Sequence, residues 1–333
     1  MFRQTTTIVV FTSLSILALK LTVGNFIASA QPGEQKQCPT VLSSTPYRQE
    51  YTGLPSVDLA LCEFVAFFHL ALTPDARPLL SYFFGNALAL LAIPAVEAFR
   101  PGCSTFLTIP VLFGLAAQVF TAGATFPIYW LAFILSGAAH RRPLAGTPST
   151  AVSPAHAQAV VFGLAIGAVV PSMCLLVLQD PHVTALWQLF PLWQFLAQSA
   201  HLFVRRRAAS PESGFSWIQG LYIAAFMISS STHIATLAGS SDLRAVFLPS
   251  IAPRTNAPLE LKVLDLFQWD FFFAFLSTLL GTVWFAKTTR QALCIVLWNV
   301  VGSVIVGPGA AVAAVALWRE AYLHPESDDK KRK

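Results

Sequence analysis

Leu264-Asp-Leu-Phe-Gln-Trp-Asp-Phe-Phe-Phe-Ala-Phe275 carries a carboxylate, Asp270, in the middle of a stretch that otherwise reads as membrane-spanning. Leu59-Ala-Leu-Cys-Glu-Phe-Val-Ala-Phe-Phe68 repeats the pattern with Glu63. An acid at the centre of a spanning helix costs roughly 2.5 to 3.5 kcal/mol on insertion scales, so it ordinarily faces a cavity or a partner. The two acids are therefore functional candidates from the outset.

Working outward from them, the chain has the composition of a polytopic membrane protein. Charged residues are 11% of the 333 and hydrophobic residues 55%, against roughly 25% charged in a soluble domain. Apolar runs fall at about 55–73, 79–98, 104–138, 158–178, 183–204, 215–238, 263–286 and 291–318. The expected fold is all-α: a transmembrane bundle of about 8 spanning helices at roughly 20 apolar residues each, plus an N-terminal signal peptide or signal anchor. The divisions are 1–30 for that segment, 31–54 for a lumenal segment, 55–320 for the bundle and 321–333 for a charged tail. Arg3, the apolar stretch from Ile8 and Ala28-Ser-Ala30 fit a cleaved signal peptide, and the stretch to Ile27 is also long enough to span.

The net charge of +5 is not a nucleic-acid footprint, because the basic residues cluster where runs end: Arg141-Arg142, Arg205-Arg-Arg207, and Lys287 with Arg290. These loops fall on one side, which the positive-inside rule makes the cytosol. The run 104–138 holds Pro110, Gly123 and Pro127 and reads as one long kinked helix or two short ones. Gly307-Pro-Gly309 breaks the last run. Lys330 and Lys331 stand third and fourth from the end, like a dilysine retrieval signal of the endoplasmic reticulum, which requires that break to turn the chain back. The five cysteines show no C-x-x-C spacing, so neither a metal nor another cofactor is expected. A single crossing by 104–138 would place Cys38 and Cys103 together in the lumen, where they could pair.

Polar and aromatic residues recur inside the runs at helical spacing. Trp187, Pro191, Gln194, Gln198 and His201 share one helix face; Gln219, Tyr222, Phe226, Ser229, Ser230 and His233 share another. A third stripe runs from Asp270 through Phe273, Ser277 and Gly281 to Trp284. Such faces are the ordinary glue of membrane bundles, and they also suit an internal pocket. Asn86, after Gly85, fits a helix break or a substrate contact. Glu97 beside Arg100 reads as a snorkelling pair at the interface. A carboxyl group in a dry, aromatic pocket suits one chemistry: protonating an epoxide or alkene of an isoprenoid, whose travelling cation the rings stabilise.

Tyr82 to Glu97, Pro127-Ile-Tyr-Trp130, Leu178 to Trp187 and Gln268-Trp-Asp270 resemble the fungal integral-membrane terpene cyclases of meroterpenoid and indole-diterpene pathways, of the ascochlorin, ascofuranone and paxilline-cluster type. The resemblance spans about residues 55–290. It implies one catalytic acid in an early helix and one in a late helix, positions that Glu63 and Asp270 match. It further implies acid-initiated cyclisation of an epoxidised prenyl chain on an aromatic or indole substrate, in secondary metabolism at the endoplasmic reticulum. Trp269, Trp284, Trp187, Tyr222, Gln194, Gln198, His233 and Asn86 are the expected substrate contacts. The expected partners are the bilayer, a lipophilic prenylated small molecule, and the pathway prenyltransferase and epoxidase. The alternatives are a proton-coupled transporter of a secondary metabolite, for which the two halves show no convincing repeat, and a noncatalytic scaffold.

Overall fold

Proline and short polar residues set where the helices begin. Pro55, Pro110, Pro154, Pro181 and Pro308 each sit in a first turn, where a missing N–H removes no helical bond. Ser153, Asp180, Asp242 and Thr288 accept from first-turn amides. The computed structural model describes residues 2–30, 38, 45–141, 151–205, 213–240 and 242–324, and among these there is no strand. Lys330 and Lys331 lie outside the described residues.

Helix α1 runs Phe2–Leu19 and continues through a π turn, Lys20–Gly24, into Asn25–Ala28. It is followed by α2 (Pro55–Ala71), α3 (Arg77–Ala98), α4 (Pro110–Phe120) and α5 (Ala122–Leu135). Helix α6 joins Pro154–Leu164 and Val170–Leu178 through a second π turn, Ala165–Val169. Then come α7 (Pro181–Trp187), α8 (Phe190–Val204), α9 (Phe215–Gly239), α10 (Leu243–Phe247), α11 (Leu259–Val283), α12 (Thr289–Ile305) and α13 (Pro308–Leu323). Five of them, α1, α3, α6, α9 and α11, are long and apolar enough to cross a bilayer. The all-helical membrane fold expected from the sequence is the one observed.

One end of the bundle gathers the basic loops. Lys287 Nζ donates to Arg141 O at 3.1 Å, Gly214 N donates to Val152 O, and His324 stacks on Phe215 at 5.1 Å. Helices α6 and α8 run antiparallel, because Gly163 faces Gln198 and Gly167 faces Gln194, so Arg205 falls at this same end.

Two of the long runs double back. Phe113 and Tyr129 stand eight residues on either side of Thr121 with ring centroids 5.3 Å apart; a straight helix would separate them by about 24 Å. Residues 104–138 are thus a helical hairpin that enters and leaves at the basic end. Its tip is Thr121 at φ 74°, a strained conformation for a residue with a branched Cβ. The single-crossing alternative is excluded. The last run also reverses, at Gly307 with φ 92°, where Trp298 Nε1 reaches across to Ala311 O at 3.1 Å. Residue 324 therefore ends at the basic end, as a cytosolic tail requires.

The run at 55–73 corrects the expected list of spanning helices. Tyr51, before α2, packs on His182 of α7 at 5.3 Å, while His69, near its end, bonds to Thr184 of the same helix at 3.2 Å. Both flanks of α2 meet α7, so α2 lies across the end opposite the basic loops instead of passing through. Burial, with the charges of Asp180 and Asp58 adding to it, pushes the Tyr51 phenol up to about 12. It stays neutral and donates to Tyr47 O at 2.7 Å. Cys38 is bonded to Cys62 of α2, not to Cys103, which is a free thiol. The hairpin carries Cys103 away, because residues 97–103 sit at the basic end.

Glu97 is also corrected. It is 1% exposed, not an interface residue, and it forms ion pairs with Arg100 at 2.5 Å and Arg319 of α13 at 2.6 Å. Arg100 also pairs with Glu320, and Arg319 donates to Ala138 O at 3.0 Å. The two buried arginines thus neutralise these two glutamates at the ends of α3 and α13.

Candidate active site

The hairpin tip sets the geometry of Asp270. α5 lies along α11, and the carboxylate Oδ1 accepts from Gly123 N at 2.5 Å, in the first turn of α5. A Cβ at Gly123 would stand 2.8 Å from Asp270 O, so only glycine allows this approach. The first turn of α5, the positive end of its dipole, faces this side chain.

Asp270 opens on a cavity of about 1050 Å³ whose walls come from α1 to α9 and α11. Phe67, Phe68, Phe84, Phe126, Phe190 and Phe267 supply much of its surface. Glu63 lines the same cavity at the α2 end and is exposed. The two acids found in the sequence therefore share one chamber, Asp270 at its buried waist and Glu63 near its mouth.

The sequence-predicted contacts divide. Trp187, Gln194 and Gln198 line the cavity; Trp187 packs on Phe68 at 4.7 Å and donates to Ser172 Oγ at 2.9 Å. The other five stand outside it. Trp269 donates to Ser250 O at 2.9 Å and stacks on Phe273. Trp284 meets Phe11 of α1 edge-on at 5.5 Å. Tyr222 is buried beside the Glu97, Arg100, Arg319 and Glu320 cluster. Asn86 joins α3 to α13 by accepting from Gly309 N at 3.0 Å. His233 bonds Tyr82 Oη at 2.8 Å and Val304 O at 3.0 Å. Sequence reasoning missed Thr121 and Gly123, whose roles depend on the hairpin, and it weighted tryptophan over the phenylalanines that build the wall. Among the described residues no three His, Cys, Asp or Glu side chains gather to hold a metal ion.

Fold and site together define a class: an all-helical membrane protein with an aromatic internal chamber and a carboxylate held at its waist by a helix terminus. The chain belongs to the CtvD-domain family, whose model matches residues 6–324. It is 28% identical over 285 residues to the terpene cyclase ascI of Acremonium egyptiacum, covering 78% of this chain and 70% of that one. It is 24% identical to a terpene cyclase of Pyrenophora dematioidea over 97% of both chains. The FAD-dependent monooxygenase verC1 of Penicillium polonicum is 24% identical across 67% of this chain and 30% of its own length. No solved structure matches. By that kinship the chain is an enzyme that cyclises terpenoids.

Proposed function

We propose that the enzyme cyclises an epoxidised prenyl chain carried on an aromatic or indole head, in secondary metabolism, and that Asp270 starts the reaction. The observation that carries this reading is the single aromatic cavity holding both Asp270 and Glu63. The Asp270 carboxyl proton passes to the epoxide oxygen, the C–O bond breaks to leave a hydroxyl, and the neighbouring alkene supplies the electron pair that closes the ring. The carboxylate left behind is stabilised by the Gly123 N–H and the α5 terminus. The ring cation moves along phenylalanine and Trp187 faces until it loses a proton, for which Glu63 is the base in the chamber. Apolar walls keep water from quenching it. A lipophilic substrate reaches such a chamber from the bilayer.

The endoplasmic reticulum is the proposed membrane for a chain with five helices long and apolar enough to cross a bilayer. Association with the pathway prenyltransferase and epoxidase is proposed as well. The stretch shared with a protein named as an FAD-dependent monooxygenase supports closeness to an oxygen-inserting enzyme.

Microsomes carrying the protein, incubated with epoxidised prenyl-phenol or prenyl-indole, test the reaction. Asp270→Asn and Glu63→Gln are expected to lower product by about a hundredfold or more, the usual scale for a general acid or base, at unchanged protein level. Full turnover by both variants would sink the assignment.

A further inference from the structure

Resting on that reading, we infer that the Gln194–Gln198 wall of the cavity is a separate subsite for the substrate's head, binding a carbonyl or phenol oxygen and so aiming the prenyl tail at Asp270. Gln198 is 4% exposed, lines the cavity, and its Nε2 finds no partner among the described residues. Tyr129 is 2% exposed, lines the same cavity, and its hydroxyl also has no partner there. Buried polar atoms are almost always hydrogen-bonded, so two such atoms on one chamber point to a ligand or to water. An amide Nε2 only donates, which requires an acceptor on the ligand.

The glutamines are also fixed in place. α8 packs on α6 at two glycines: a Cβ at Gly163 would stand 2.3 Å from Gln198 Cγ, and one at Gly167 would stand 2.2 Å from Gln194 Cα. Gly167 lies in the π turn Ala165–Val169, a distortion frequent at functional sites. The acid end is held by other elements, the α4–α5 hairpin and α11. A long molecule with one polar end therefore has two distinct walls to satisfy, and the phenylalanine surface receives its hydrocarbon.

The test uses the detergent-solubilised full chain and two probes: a prenylated phenol, and the same prenyl chain on an oxygen-free phenyl ring. The wild type is expected to bind the first about tenfold tighter, the scale of one buried hydrogen bond. Gln198→Met and Gln198→Leu, which keep roughly the volume and remove the donor, are expected to erase that difference and leave the phenyl probe unaffected. Equal binding of both probes by the wild type, or equal weakening of both in the variants, overturns the subsite and leaves water as the partner. Discrimination in binding with no cyclised product from epoxidised probes keeps the subsite and removes the proposed reaction; cyclisation of both epoxidised probes at equal KM does the reverse.

Discussion

A methyl group added at Gly123 tests how Asp270 is held. It would meet the Asp270 backbone oxygen at 2.8 Å and Phe273 Cβ at 3.0 Å, forcing the hairpin tip off α11. Gly123→Ala is expected to lower product formation by at least about tenfold, since small misplacements of a reacting group have effects of that order or larger. Membrane insertion should be retained, and product per amount of inserted protein is the measure. At this scale Glu63 and Asp270 were legible because charge inside an apolar run is rare and expensive. Gly123 was not, since a glycine in such a run reads only as a break. Trp269 and Trp284, expected as contacts, stand outside the cavity for a related reason: residue type says that a ring is buried, and only packing says against what.

Elements were legible where proline, glycine or a cap marked their ends, and obscure where tertiary contact decided the path. Nothing in Phe120-Thr-Ala122 announces a reversal; the closure depends on Thr121 accepting the strain of φ 74°. The ion cluster joining α3 to α13 was missed likewise, because Arg319 and Glu97 are 222 residues apart. Removing one member leaves its partner's charge buried, so Arg319→Ala is expected to destabilise the protein by roughly 3–5 kcal/mol. A clear drop in the thermal midpoint of the detergent-solubilised protein would record it, and an unchanged midpoint would remove the cluster from the account of how α13 is held. The Cys38–Cys62 bond closes a loop over the element that bears Glu63, with a sequence separation of 24. Cys62→Ser should therefore lower the midpoint by an amount consistent with about 3 kcal/mol for a loop of this size. Non-reducing peptide mapping checks the bond itself.

For the whole molecule the arrangement makes a topological prediction. A tag placed after His324 should be cut by protease added outside intact microsomes, and a tag within residues 45–53 should be protected. The opposite pattern would invert the bundle. α1 belongs to the same question: Ser15 Oγ donates to Ala124 O at 2.8 Å, and Ala18 packs with Ala124 and Phe273. The mature protein is expected to retain α1, which intact-mass measurement decides. Composition alone made the membrane class legible, whereas the paths of 55–73 and 104–138 needed contacts between distant residues. The hairpin has a consequence for how such enzymes diversify. α4 has no buried residue, yet Phe113, Gly114 and Gln118 face the chamber. Part of that wall is held by packing, since Phe113 meets Tyr129 and a Cβ at Gly114 would stand 2.6 Å from Pro191 Cβ, whereas Val119 lines the cavity and is exposed. Changes at Val119 can therefore alter which rings form with little loss of packing, so product novelty should accumulate there before it does at Phe113 or Gly114.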